Sequence, residues 1–470
     1  MDREVPSTHY KALQINLDPT SYGTIAEIGG GQEVARHFFQ AGAASGTVGK
    51  TISAYDMAFS DTVYGKNPEG RYVSLSRLEQ MLTREFRETV DILQPIRKAG
   101  TRFFAFANTV STINFKKDNE GHGWMGIHFQ LFPQQENNEV VLHVRLLEND
   151  ALLQQATLGI LGVNLIYACY YHHTTPNTFL LSLMDNLSRD RLEITMIRMK
   201  GPQLDYVDNR LLSVQLVKNG MAQASMFDRH GRVQQPADML YKKDVLAFRG
   251  SFRPITYVGF DMLKTSFALF KKEAEFDKLR TVALCEMTLS NLLAEGQFDE
   301  RDFLDRVDLL NGMGQNVMIS NFREYYKLVR YLSQFRTRNL RVVMGLPTFI
   351  NIMDKSFYAD LRGGILEAFG KLFPENMKIY LYPALSKDGL EILTLENVAV
   401  PEEIHYLIKH LIVNQKIVDI PGIKKKWLTI FSHEVLKKIQ QKDPDWEKMV
   451  PVYVAQQIRT KRLFGFHGDE

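Results

Sequence analysis

The stretch VLAFRGSFRPITYVGFDML, residues 245–263, decides the fold of the second half of the chain. Val245 to Phe248 form a continuous apolar run, the pattern of a strand covered on both faces. Gly250 marks a tight turn, and Pro254 delays any helix until after it. Apolar side chains then recur at helical spacing. Strand, glycine turn and helix in that order make the opening unit of a parallel sheet. Four further apolar strands follow, at 281–287, 316–321, 340–346 and 377–383. Helices are expected between them near 258–272, 300–313, 322–335 and 361–373. Five βα units in series predict an open, doubly wound, mostly parallel Rossmann-like sheet, and they are too few for a closed eight-unit barrel.

On either side of this core the pattern changes. Residues 1–240 read as an irregular α+β domain. TIAEIG (24–29) alternates like a strand and runs into Gly29-Gly30-Gly31, and the next segment places Val34, Phe38 and Ala41 on one helical face. Residues 77–96 form an amphipathic helix. Residues 102–115 read as a strand, and two further strands flank QQENN as a hairpin. Residues 192–201 give another strand, and a helix at 211–220 closes on a C-terminal glycine signal. The Rossmann-like domain spans 241–400, and 401–470 reads as a helical extension containing the basic stretch IKKKW.

The chain has 470 residues, more than one ordinary core accommodates, with 45% apolar and 24% charged residues. A net charge of +3 gives no basis for a nucleic-acid or membrane surface. Cys169 and Cys285 lie in apolar runs and are expected as buried thiols, as in a reducing compartment. The first residues lack an apolar signal core, and ATLGILGVNLIYACYY (156–171) is too short to span a bilayer, so a cytoplasmic protein with a buried helix is expected.

The turn GSFRPIT resembles the first half of the G-x-F-x-P-x-[HT]-x-G-H motif of adenylyltransferase-type nucleotidyltransferases. Gly250, Ser251, Phe252, Pro254 and Thr256 fall in place, whereas Val258 and Gly259 stand where the motif has Gly and His. In such enzymes the turn and the helix N-terminus face the triphosphate. The resemblance implies that Gly250, Ser251 and Phe252 bind nucleotide, with Thr256 and Arg253 at the phosphates. These enzymes carry a second motif, I-S-x-x-x-x-R, at a later helix start. VMISNFREYYK offers Ser320 and Arg323 on the same sheet edge, with helix capping by Ser320 as the alternative.

Gly29, Gly30 and Gly31, at a strand-to-helix junction beside Glu27, suggest an anion-binding nest, the alternative being turn geometry alone. ASGTVGKT (44–51) matches a loose P-loop pattern but follows a helix instead of a strand, which leaves Lys50 only as a nearby cation. His122, His128 and His143 cluster on the hairpin without metal-ligand spacing, so no metal site is assigned.

Over its length the chain resembles bacterial proteins labelled nicotinate-nucleotide (nicotinamide mononucleotide) adenylyltransferase. AEIGGGQEVARHFFQAGAA, SAYDMAFSD, RFFAFANTVSTINF, EGHGWMGIHFQL, QATLGILGVNLIYAC and GSFRPIT carry the resemblance. It implies ATP and Mg²⁺ as cofactors and a small nucleotide as partner. Three readings stand: adenylyl transfer to nicotinate mononucleotide; a silent nucleotide-binding or scaffold protein; and an enzyme centred on the N-terminal glycine loop with Glu27, Lys50 and the hairpin histidines. The sequence leaves oligomeric state open.

Overall fold

The computed structural model describes residues 3–67, 70–294 and 296–467, which form two compact units, Met1–Ser225 and Met226–Glu470. In the first unit the strands are β1 (Ser21–Gly29), β2 (Val48–Ile52), β3 (Arg102–Ser111), β4 (Gly121–Phe129), β5 (Asn138–Leu146) and β6 (Leu192–Lys200). Its helices are α1 (Thr8–Asn16), α2 (Glu33–Ala41), α3 (Met57–Tyr64), α4 (Leu75–Leu93), α5 (Ala151–Tyr171), α6 (Pro176–Leu183) and α7 (Asn209–Lys218). One sheet runs β2-β1-β3-β4-β5-β6. β1 lies parallel between β2 and β3, and β3 to β6 continue as an antiparallel meander.

Side chains alternate across this sheet with the period of two that strands impose. Thr24 meets Thr89 of α4 through their hydroxyls at 2.7 Å, while Ile25 and Glu27 turn the other way, toward α2. Helix α5 has mean hydropathy 1.4 and meets the length and composition of a membrane span, but 72% of that window is buried against the rest of the unit. The Asp150 side chain caps its start, accepting from Leu152 and Leu153 amides. Gly159 and Gly162 of α5 admit α2 at close range. A Cβ at Gly162 would stand 2.3 Å from Val34 Cγ2, and one at Gly159 would stand 2.6 Å from Glu33 Cβ.

The second unit contains β7 (Ala224–Phe227, which begins at the boundary), β8 (Val233–Gln234), β9 (Asp244–Arg249), β10 (Thr281–Thr288), β11 (Asn316–Ser320), β12 (Asn339–Gly345), β13 (Met377–Tyr382), a small hairpin of β14 (Ala384–Leu385) and β15 (Ile392–Leu393), and β16 (Ile417–Asp419). Its helices are α8 (Pro236–Leu240), α9 (Tyr257–Phe270), α10 (Leu289–Leu292), α11 (Glu300–Gly312), α12 (Tyr325–Ser333), α13 (Leu346–Asn351), α14 (Gly364–Leu372), α15 (His405–Val413), α16 (Ser432–Gln440) and α17 (Val452–Lys461). The sheet order is β16-β13-β12-β9-β10-β11-β7-β8, and β16 through β11 are all parallel. Numbered from β9, these six strands follow the Rossmann order 3-2-1-4-5-6.

This is the expected doubly wound fold, with two differences. The segment expected as a purely helical extension supplies β16, the sixth parallel strand. Residues 224–234, read as a turn region of the first domain, add β7 and β8 to the second sheet. Strands of two to four residues are too short to show a period, so neither was legible.

Gly162→Ala should lower the midpoint of thermal unfolding, because the methyl collides with Val34 across the α2–α5 contact. Overpacking of about 1–3 kcal/mol outweighs the gain of about 1 kcal/mol in helix propensity. An unchanged or raised midpoint would mean that α2 is not held by that contact.

Candidate functional site

The order reverses between β9 and β12, and in such sheets ligands bind at that reversal, beyond the carboxyl ends of the strands. The turn after β9 is GSFRPIT. Its backbone reverses at Phe252, whose φ is +50°, and an Arg253–Pro254 cis peptide follows. The Phe252 ring, 5% exposed, packs edge-on against Phe248 with centroids 5.3 Å apart and fills the space beneath Gly250. Phe252 therefore anchors the turn in the core, in place of the ligand contact expected of it. Gly250 stays half-buried and Ser251 is exposed. Thr256 stands at the N-cap of α9, buried, with no side-chain capping bond.

Charge around the turn is largely matched. Arg253 pairs with Asp302 at 2.5 Å, and Arg306 both pairs with Asp302 and donates to the Ser251 carbonyl at 3.2 Å. Arg253, expected at the phosphates, thus braces the turn against the start of α11. Arg249 forms a two-pronged pair with Glu286 directly opposite on β10, at 2.8 and 2.9 Å, beneath the Tyr325 ring. Ser320 donates to the same carboxylate at 2.5 Å, and the Arg323 carbonyl accepts from Arg249 at 2.9 Å. Ser320 and Arg323 do reach this edge. Ser320 is buried inside the ion pair, however, while the Arg323 side chain is exposed.

The structure brings part of the C-terminal extension to the turn. Ser432, the first residue of α16, donates its hydroxyl to the carbonyls of Arg253 and Pro254, at 2.8 and 3.0 Å. Trp427 stacks on Tyr257, the first residue of α9, with ring centroids 5.0 Å apart and 9° between planes. Lys424 lies 4.3 Å from the centre of the Trp427 ring, and Lys425 and Lys426 are exposed beside it. The signal was present in the sequence. FSHEVLK sets Ser432 and Lys437 at the I-S-x-x-x-x-R spacing, with Lys in the place of Arg and Phe in the place of Ile. Ser320 lacks the basic residue at that spacing, where Tyr325 stands instead.

In the first unit the glycine loop has a different explanation. Gly29 has φ +83° and its Cβ position lies 2.0 Å from the Val110 carbonyl oxygen, so only glycine fits. A Cβ on Gly30 would meet Thr112 at 2.4 Å, and the Gly30 amide already donates to the Val110 carbonyl. At Gly31 a Cβ would stand 3.0 Å from the Asn108 side chain. The expected anion nest is filled from within, because Glu27 accepts from the Val34 and Ala35 amides at the start of α2, at 3.3 and 3.1 Å, and from Asn108 Nδ2 at 3.0 Å. Burial outweighs these bonds and pushes the Glu27 carboxyl up to about 7. Glu27 lines a groove of about 460 Å³ between α2 and the edge strand β2.

Lys50 lies on the opposite face, tied to Glu85 at 2.6 Å and Glu88 at 3.0 Å, and it sits on a strand, not in a P-loop. His128 pairs with Glu139 at 2.9 Å. His143 is buried between Thr195 at 2.6 Å and His122 at 3.3 Å, and burial holds both His143 and His122 below the usual imidazole range. The structure does not gather Glu27, Lys50 and the histidines into one site. Among the described residues no three His, Cys, Asp or Glu side chains are placed to hold a metal. Both cysteines are buried free thiols.

No family model matches the chain, and no curated protein matches it. Among solved structures it is similar to the competence/damage inducible protein CihA from Agrobacterium tumefaciens, at 18% identity and TM-score 0.24 over 34% of this chain and 93% of that one. It is also similar to a competence-damaged protein (CinA) superfamily member from Klebsiella pneumoniae, at 12% identity and TM-score 0.26 over 34% and 96%. A third likeness is to a CinA superfamily protein from Escherichia coli, at 15% identity and TM-score 0.24 over 37% and 87%. TM-scores this far below 0.5 carry no functional information.

Two outcomes follow from these charges. Glu286→Ala leaves Arg249, its side chain 8% exposed, without its partner and should cost about 3–5 kcal/mol in urea unfolding. A loss below about 1 kcal/mol would show the pair to be dispensable. Glu27 titrates higher folded than unfolded, so it contributes stability that is fully present below pH 4.5 and lost as pH rises to about 7. The loss is of order 3 kcal/mol. In Glu27→Gln the slope between pH 5 and 7 should flatten relative to the parent, and identical slopes would contradict the raised carboxyl.

Proposed function

We propose that the chain is a nucleotidyltransferase acting at the carboxyl edge of the second sheet, and that it transfers the adenylyl group of ATP to nicotinate mononucleotide. The observation that carries this reading is the seating of Ser432 on the carbonyls of Arg253 and Pro254. That contact joins a helix start of I-S-x-x-x-x-R type to a turn of G-x-F-x-P-x-T type. The strand order supports it, since the turn follows the first strand at the reversal point.

In this reading the Gly250–Ser251 backbone and the N-terminus of α9 receive the triphosphate, and Thr256 bonds a phosphate oxygen. Arg253 positions the turn through Asp302. Arg323, Lys424 and Lys437 are exposed cations that this reading assigns to the phosphates. A phosphate oxygen of the mononucleotide attacks the α-phosphorus of ATP, the bond to the β-phosphate oxygen breaks, and pyrophosphate leaves with the charge. Mg²⁺ would enter on the triphosphate, bound chiefly by phosphate oxygens and water.

A second reading is a nucleotide-binding protein without turnover. It is favoured by Gly259 in the place of the motif's histidine and by the neutralisation of Arg253 by Asp302.

Purified full-length chain with ATP, Mg²⁺ and nicotinate mononucleotide should release pyrophosphate. Lys437→Ala should lower kcat by about 10²-fold, the scale of losing one charge-stabilising donor, without lowering Tm. ATP raising Tm with no pyrophosphate released would select the silent reading. Neither turnover nor a Tm shift would end both.

A further inference from the structure

The groove in the first unit plays no role in the reading proposed above, yet it contains a buried carboxylate that meets no cation among the described residues. Glu27 is 3% exposed, and its hydrogen-bond partners are two backbone amides and the Asn108 amide. Among the described residues no Lys, Arg or His forms a salt bridge with it. This contrasts with buried carboxylates such as Glu85, Glu139 and Glu286, each of which meets a cation. Beside Glu27, the Oδ1 of Asn108 is also buried and receives no hydrogen bond. A buried carboxylate without a cation is costly, and an unsatisfied carbonyl next to it adds to the cost.

The lining of the groove indicates what would relieve this. Ile25 and Ala35 give apolar walls, and Phe39 holds its ring 56% exposed at the side. Gln32 donates to Ser53 at 2.9 Å across the rim, tying the start of α2 to the segment after β2. Arg36 also borders the groove, but it is largely exposed and pairs with Glu33 at 3.6 Å. A volume of about 460 Å³ lies in the range of small-molecule sites.

We propose that the groove between α2 and β2 binds a small flat organic cation, an amidinium or a protonated ring nitrogen. Glu27 is its counter-ion and Phe39 the face against which its ring stacks. Glu27 Oε1 already accepts from Val34 and Asn108, but among the described residues Oε2 accepts only from Ala35, so a cationic N–H can add one charge-assisted hydrogen bond there, and an aromatic wall adds attraction for a flat cation. This inference rests on the first unit alone and stands or falls separately from the adenylyl-transfer reading.

The test uses the full chain at pH 8 with p-aminobenzamidine, whose fluorescence rises when its ring leaves water. Neutral p-aminobenzamide and anionic p-aminobenzoate are the competitors. Saturable binding below about 10 mM is expected. Both competitors should bind at least about tenfold more weakly, since neither supplies the charge that Glu27 lacks. Glu27→Gln should weaken p-aminobenzamidine by a similar factor. Phe39→Ala, at an exposed position, should weaken it severalfold without moving Tm, and it decides the matter if Glu27→Gln does not fold. No saturation, equal binding of the neutral amide, or unchanged binding in both variants would each overturn the proposal.

Discussion

The return of the C-terminal segment onto the first βα turn of the second sheet is the contact on which the functional reading depends. A turn of this kind is only a corner until something fixes its backbone from the outside. Here Phe252 holds it from beneath, Arg306 and Asp302 hold it from α11, and Ser432 bonds two successive carbonyls from above. With those carbonyls satisfied by protein, Ser251 stays the exposed residue of the turn, and the buried Thr256 leads into α9. The basic segment ending in Trp427 stacks at that same place.

Two buried acids, one in each unit, have opposite surroundings. In the second unit, Arg249 and Glu286 face each other across adjacent strands, and Ser320 and Tyr325 complete the enclosure. The pair is satisfied, so it fixes the carboxyl edge of the sheet without inviting a ligand. In the first unit Glu27 receives only neutral donors, and its carboxyl rises to about 7. Neutral donors stabilise a carboxylate less than a cation does in the same low dielectric.

The glycines of the N-terminal loop show how one pattern serves two ends. Three successive glycines before a helix suggest an anion nest, and helix α2 does offer amides to a carboxylate. That carboxylate belongs to the chain itself, seven residues before the Val34 amide it accepts from. Gly29 is required by the approach of β1 to the end of β3, where the Val110 carbonyl leaves no room for a Cβ, and Gly30 and Gly31 pack closely against the Thr112 and Asn108 side chains.

What the sequence by itself determined was the periodic part. The five long parallel strands, the helices between them, α5 as a core helix, and the Gly250 turn followed from runs of apolar residues and from turn residues whose effect is local. Short strands such as β7, β8 and β16 carried no such signal. The partners of each charge were equally illegible. Arg253 with Asp302, Lys50 with Glu85, and Ser432 with the turn are joined over separations of tens to more than a hundred residues. Local pattern reports which face of an element is apolar; only the folded chain decides which polar group meets which, because that depends on the strand order and on where the tail comes to rest.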